Sequence, residues 1–250
     1  MELLFLSADA WRPEGLESDT VSLLLNGQLM VDTGWHPVHN LIREGYRPED
    51  VKTLLFTHLH QDHRIGLPAI LFWLLNSHQA ADMLEIMGIE GTEEITRMAL
   101  EYAGKSTYYE KAPAPAVRTI APGDTFERCG LRIETAPSHH AVPGIMYRFT
   151  DAEGHVLVYS GDTEPHEDTL RLAKGADVLI HEHSYGAKTA GDNHWGHSGA
   201  EDAAEIAKEA GVGKLFLVHS DPAFIAESVE CARRIFPDTE RAYSGLKMTL

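Results

Sequence analysis

The chain has 250 residues, 43% apolar and 24% charged, which is ordinary globular usage and excludes a largely disordered polypeptide. Its 21 Lys and Arg stand against 38 Asp and Glu, a formal charge of −17 that repels phosphate backbones and anionic lipid, so neither a general nucleic-acid binder nor a membrane-surface protein is expected. Two cysteines, Cys129 and Cys231, exclude a disulfide framework and a four-cysteine zinc site and point to a reducing compartment, the cytoplasm.

Val21 to Val31 reads as a strand pair around Asn26-Gly27, a favourable hairpin turn. Val38 to Glu44 is a short helix closed by Gly45. Val51 to Phe56 is a buried strand that runs into Thr57-His58-Leu59-His60-Gln61-Asp62-His63, and Pro68 opens an apolar helix to Leu75. That apolar run is far too short to span a membrane. No signal peptide is expected at Met1-Glu2-Leu3-Leu4-Phe5, which lacks a basic leader.

Residues 76–104 read as mostly helical, with a short strand near Leu84 to Met87; a core-facing helix pair is expected there, a pocket lid or dimer face being the other readings. Strands follow at Val117 to Ile120, Leu131 to Thr135, Ile145 to Phe149 and Val156 to Tyr159. Glu167 to Lys174 is a helix ended by Gly175, and Val178 to Ile180 a strand ending at His181. Ser198-Gly199-Ala200-Glu201 is a capping box opening a helix to Gly211. Leu215 to Val218 is a strand ending at His219, and Ala226 to Phe236 the last helix. Periodicity defines the class as α/β and shows no linker or repeat, so a single domain over 1–250 is expected.

The strongest chemical signal is His58-x-His60-x-Asp62-His63, directly after an apolar strand. Alternation aims His58 and His60 to one side, and the turn at Asp62-His63 brings two further donors round. Imidazole nitrogen and carboxylate oxygen are ligands that zinc, manganese and iron accept. Further donors, His139-His140, Asp162, His181 and His219, stand where later strands end, and strand ends on one sheet edge converge.

This series resembles the metallo-β-lactamase superfamily over nearly the whole chain. The resemblance implies an αββα four-layer sandwich holding two divalent metal ions, zinc before manganese or iron. By it, His58, His60 and His140 hold the first ion and Asp62, His63 and His219 the second, with Asp162 bridging. Within the superfamily the motifs are similar to ribonuclease Z and its phosphodiesterase relatives: the first histidine motif through Gly66-Leu67-Pro68, then His140-Ala141-Val142-Pro143, His181-Glu182-His183-Ser184 and His197-Ser198-Gly199. That register favours His140 over His139 as ligand. It also implies catalytic roles for Asp62, His197 and Glu182, the last two as a proton-handling pair, and gives Asp32 and His181 the task of orienting ligands.

Ribonuclease Z carries a long arm for gripping tRNA between the motif of His140 and Gly161-Asp162-Thr163, and the interval from His140 to Asp162 leaves no room for one. His183 also replaces a small residue. A small-molecule substrate, with no nucleic acid and no membrane, is therefore expected, its pocket walled by Tyr185, His194 and Trp195. A homodimer is in keeping with the relatives. The expected reaction is hydrolysis of a small phosphodiester by a hydroxide bridging the two metals. Hydrolysis of a lactone, β-lactam, thioester or sulfate ester is the alternative, and an iron pair for redox chemistry, or a metal-dependent binding module, is a third reading. Cys129 and Cys231 are expected to be buried thiols, and histidines 36, 39, 78, 155 and 166 to lie on the surface.

Overall fold

Asn26 and Gly27 both take positive φ (50° and 65°), as a tight turn between twisted strands requires. They join β2 (Ser22–Leu25) to β3 (Leu29–Val31). The computed structural model describes residues 1–10, 19–77, 83–191, 195–220 and 225–250. Among these, β2 and β3 belong to a seven-stranded sheet with β1 (Glu2–Ser7), β4 (Thr53–Leu55), β5 (Glu85–Gly88), β6 (Ala116–Thr119) and β14 (Lys247–Thr249), in the order β14-β1-β2-β3-β4-β5-β6. A second seven-stranded sheet contains β7 (Thr125–Arg128), β8 (Leu131–Ser138), β9 (Gly144–Thr150), β10 (Val156–Tyr159), β11 (Val178–Glu182), β12 (Lys214–Val218) and β13 (Thr239–Arg241), in the order β13-β12-β11-β10-β9-β8-β7.

One apolar cluster, with Phe5, Val31, Leu55, Ile133, Tyr147, Leu157 and Phe216, lies between the sheets. The outer face of the first sheet is covered by α1 (Pro37–Arg43), α3 (Leu67–Asn76) and α4 (Thr92–Tyr102). In α3 the buried residues are Leu67, Ile70, Leu71, Leu74 and Leu75, one face at helical spacing. The outer face of the second sheet is covered by α6 (Glu167–Ala173), α7 (Ala200–Ala210) and α8 (Ile225–Ile235). Helix, sheet, sheet and helix are thus the four layers expected. Within 76–104, Leu84 and Met87 are buried, while Met98 is exposed. The short strand read near Leu84 to Met87 is present as β5, which completes the first sheet between β4 and β6, and α4 follows it.

The two sheets are joined along one edge. Ile145 N donates to Thr57 O at 2.8 Å, Tyr147 OH to Phe56 O at 2.7 Å and His219 N to Ala8 O at 2.9 Å. β3 runs parallel to β4, and β10, β11 and β12 are mutually parallel. Their C-terminal ends therefore open on a common rim. β9 turns into β10 through only residues 151–155, with Asp151 N donating to His155 O. That tight turn closes the interval from which an arm would have to project.

Two local expectations are corrected. Ser198 does not cap α7: its hydroxyl donates to Thr163 O, and the carboxylate of Asp202, not Glu201, accepts the Gly199 amide. Glu201 instead takes Lys188 as its partner. Cys129 is half-buried rather than buried, because it sits in the β7–β8 turn at φ 52° beside Gly130. Cys231 is buried as expected.

Candidate metal centre

Every donor singled out from the His-x-His-x-Asp-His motif follows the end of β4. His58 and His60 lie in the extended segment after it, and Asp62 and His63 on a single helical turn, α2 (Gln61–Arg64). His140 follows β8, Asp162 follows β10 and His219 follows β12. The ligand atoms of His58, His60, His140 and Asp162 lie within 4.8 Å of one another, as do those of Asp62, His63 and His219. Asp162 stands between the groups, 3.7 Å from His58 Nε2, 3.5 Å from His63 Nε2 and 3.7 Å from His219 Nδ1.

Whether these residues fit metal ions is decided by the far side of each ring. His58 Nδ1 lies 3.0 Å from Thr57 Oγ1, His63 Nδ1 2.9 Å from Asp32 Oδ2, His140 Nδ1 2.8 Å from Gly196 O and His219 Nδ1 2.8 Å from Ser184 Oγ. The Thr57 hydroxyl donates to Asp32 and the Ser184 hydroxyl to His219 O, so each accepts from its histidine. All four Nδ1 atoms carry the proton in this network, and the Nε2 lone pairs are left for the centre. His58 Nε2 and Asp162 Oδ1 are buried with no hydrogen-bond partner. Such orphaned acceptors are costly unless a cation satisfies them. The donor set fits divalent metal ions.

The backbone is bent to make this cluster. Asp32 and His219, both at φ 55°, are two of only four non-glycine residues at positive φ among the described residues. Such conformations concentrate where surrounding contacts over-determine them. Gly196 is at φ 67°, and a Cβ there would lie 2.5 Å from His140 Cα. Only glycine lets its carbonyl approach the His140 ring.

The electrostatics are those of a cation site. Burial, then the charge of His63, holds His58 well below its ordinary value, and burial lowers His60 and His140. Burial opposes a proton on His63, but Asp162 and Asp32 together raise it well above the ordinary value. That proton is what a metal ion must displace. Burial disfavours ionised Asp162, yet His219, His63 and His58 hold it well below the carboxylate range.

Glu182 is buried and accepts from Thr163 N, Ser184 N, Ser198 N and His197 Nδ1, the last at 2.8 Å. Burial lowers His197, but the Glu182 bond and charge outweigh it and raise the imidazole to about 9. The rings of His140 and Tyr185 lie 4.7 and 6.1 Å from that of His197.

Among the other predicted residues, Asp32 is brought beneath the cluster, where it meets His63 directly and His58 through Thr57. His181 is not brought to it: its Nδ1 is bonded to Glu182 O, and its strand neighbour Leu179, two residues back, packs in the outer helical cluster. His139 turns away from the centre to Asp168. His183 is buried against Val218 O. Tyr185 and Trp195 are exposed near His197, with Trp195 O accepting from Ala141 N. His36 and His39 are exposed, and His155 and His166 half-exposed. His78 and His194 lie outside the described residues. Sequence reasoning missed the partners Thr57, Ser184 and Gly196. Thr57 and Gly196 directly precede His58 and His197, and Ser184 closes the His181-Glu182-His183 element.

This fold and this centre define a metal-dependent hydrolase. Residues 28–220 match the family described as a beta-lactamase superfamily domain, and the chain belongs to the metallo-β-lactamase superfamily. It is 28% identical to ribonuclease Z of Bacillus licheniformis over 305 aligned positions, covering 97% of each chain. That alignment is longer than this chain, so the relative has residues with no counterpart here. Among solved structures, the metallo-beta-lactamase fold protein YhfI from Bacillus subtilis superimposes with a TM-score of 0.81 at 22% identity, covering 99% of this chain and 98% of that one. A diphosphatase from the PhnP family superimposes with a TM-score of 0.73 at 18% identity, covering 100% and 97%. Among the described residues no helix is long and apolar enough to cross a membrane.

Proposed function

We propose that the chain is a two-metal phosphodiesterase, loaded with zinc, whose substrate is a small phosphodiester. His58, His60 and His140 would hold one ion, Asp62, His63 and His219 the other, with Asp162 shared. Bound there, divalent cations supply Lewis acidity, polarising the scissile bond and making water acidic enough to attack near neutral pH. Asp62 and Asp162 bring two negative charges to offset that of the cations. Asp32 and Thr57 hold His58 and His63 in the tautomer that presents Nε2.

The observation that carries the phosphodiester reading is the Glu182–His197 pair beside this cluster. An imidazole raised to about 9 holds a proton at neutral pH. Glu182 fixes Nδ1, so Nε2 is the atom that gives a proton to a departing oxygen. An alkoxide leaving from phosphorus needs that proton. Exposed Tyr185 and Trp195 would wall the substrate, and His194 joins them by its place in the loop.

The tight turn between β9 and β10 and the charge of −17 support a small substrate over RNA. The likeness to ribonuclease Z favours RNA, and the experiment includes both. Metal-reconstituted protein is assayed on small phosphodiesters, a precursor tRNA, lactones, thioesters and sulfate esters. Turnover of the first class alone supports the proposal; efficient cleavage of the precursor at physiological salt, or preference for an acyl or sulfate ester, refutes it. The core cluster shared by both sheets supports one catalytic domain over 1–250. Exposed Phe72, Met98 and Tyr102 on α3 and α4 support a homodimer, and the free thiols Cys129 and Cys231 a cytoplasmic setting.

A further inference from the structure

The outer face of the second sheet changes character from one strand to the next. Val158 on β10 is buried in the apolar cluster under α6 and α7. Across the three strands beyond it, the same row continues as Arg148 on β9, Glu134 on β8 and Thr125 on β7, each directly opposite its neighbour. Side chains opposite one another share a face, so the row is polar where α7 no longer covers it. Together with α6 and the Pro122-Gly123-Asp124 loop it lines an open cleft of about 720 Å³.

The cations of this cleft are held in place with hydrogen-bonding capacity to spare. Arg148 has a side-chain exposure of only 21%. Its Nη1 donates to Leu172 O at 2.7 Å and to Lys174 O at 3.2 Å, and its Nε lies 3.8 Å from Glu134 Oε2. Those carbonyls close α6, whose C-terminus favours a cation. Nη2 of Arg148 has no acceptor among the described residues, and Lys174, exposed beside it, pairs with no carboxylate among them. Arg171, one turn earlier on α6, is tied to Asp168. Acceptors line the cleft as well: Asp124 spends Oδ2 on Ala121 N and keeps Oδ1, and Glu134 and Thr125 stand in the row.

We propose that this cleft binds a phosphate monoester of a polyol, a sugar phosphate, with its phosphate on Arg148 Nη2 and Lys174 Nζ and its hydroxyls on Glu134, Asp124 and Thr125. A guanidinium already fixed by the α6 carbonyls loses little freedom on taking up phosphate. Carboxylates in the same cleft accept from hydroxyls and repel a polyanion such as a nucleoside triphosphate. No aromatic ring lines the cleft, so a base would have nothing to stack on. The volume lies in the range of about 300–1,000 Å³ usual for small-molecule sites. Such a site is independent of the bond broken at the metal centre.

The test is hydrogen–deuterium exchange of the metal-loaded protein with and without glucose 6-phosphate. Residues 122–136 and 168–175 should exchange more slowly with the ligand, whatever it does at the metal centre. Lys174→Glu, at an exposed position away from every proposed metal ligand, should need roughly tenfold or more ligand for the same protection at low ionic strength, with its thermal stability unchanged. Glucose should protect neither segment, and inorganic phosphate should protect them less than the sugar phosphate at equal concentration. Absence of protection in both segments overturns the proposal, as does an equal response in Lys174→Glu. Equal protection by inorganic phosphate also overturns it, because the hydroxyl contacts would then contribute nothing.

Discussion

Replacing Asp32 by Asn should disarm both proposed metal sites without touching a ligand. Asparagine tolerates the left-handed backbone at φ 55°, so the change is confined to the side chain. Asp32 Oδ1 accepts Thr57 N at 2.9 Å, and Oδ2 accepts Thr57 Oγ1 at 2.7 Å and His63 Nδ1 at 2.9 Å. The amide keeps one oxygen. If that oxygen stays with the fixed Thr57 N–H, the NH₂ group faces His63 Nδ1, which must become an acceptor. Its proton then moves to Nε2, the nitrogen 3.3 Å from His219 Nε2. The Thr57 hydroxyl reverses as well and donates to His58 Nδ1, moving that proton to the orphaned His58 Nε2. One ligand in each group is thereby blocked. The other amide orientation sets NH₂ against a buried N–H and costs about 1–3 kcal/mol of stability. Removing one such orienting partner lowers metal affinity about 10–100-fold. With two ligands affected, the upper end of that range is expected. Competition with a chromophoric chelator measures it, and thermal unfolding separates a stability loss. Wild-type metal affinity together with wild-type stability would refute the tautomer argument.

Three further outcomes are expected. His140→Ala should lower the metal content of the main centre and abolish turnover, whereas His139→Ala should leave that centre loaded; elemental analysis at limiting zinc decides, and the reverse result would place the ligand at His139. His197→Ala should slow an alkyl phosphodiester by roughly 10²–10⁴-fold but slow bis-p-nitrophenyl phosphate far less, because nitrophenolate leaves without a proton; equal slowing with metal intact would reject the acid role. Burial lowers His183 to about 4, while an unfolded histidine titrates near 6.5. Between those values the unfolded chain binds more protons, so this contribution to stability is complete above about pH 6.5 and is lost as pH falls towards 4. Its size is on the order of 3 kcal/mol, and His183→Gln should flatten that part of the pH–stability curve measured by urea unfolding. An unchanged curve would show that His183 is not the group responsible.

His58, His60, Asp62 and His63 were legible in the sequence because their spacing is local: a strand exit and one helical turn are enough to gather them. Asp162 and His219 were legible because each ends an apolar strand, and parallel strand ends share a rim. The hairpin at Asn26-Gly27 and helix α3 were legible because turn chemistry and helical periodicity are written in a few neighbouring residues. By contrast β1, β7, β13 and β14 went unassigned. Apart from β1 they are three or four residues long, and β1 and β14 pair with each other from opposite ends of the chain. The capping residue of α7 was misplaced by one position, since Ser198 has a better acceptor in Thr163 O across the fold. Which nitrogen of each histidine faces the centre depends on Thr57, Asp32, Ser184 and Gly196. Apart from the Thr57–His58 contact, these partners are brought to their rings from 31 to 56 residues away. The sequence by itself therefore determined the type of donors and the order in which the sheets present them. Only the tertiary structure decided their tautomers, the turning of His139 and His181 away from the centre, and the meeting of His139 with His166 and Asp168, because hydrogen bonds between distant segments exist only once the two sheets have closed on each other.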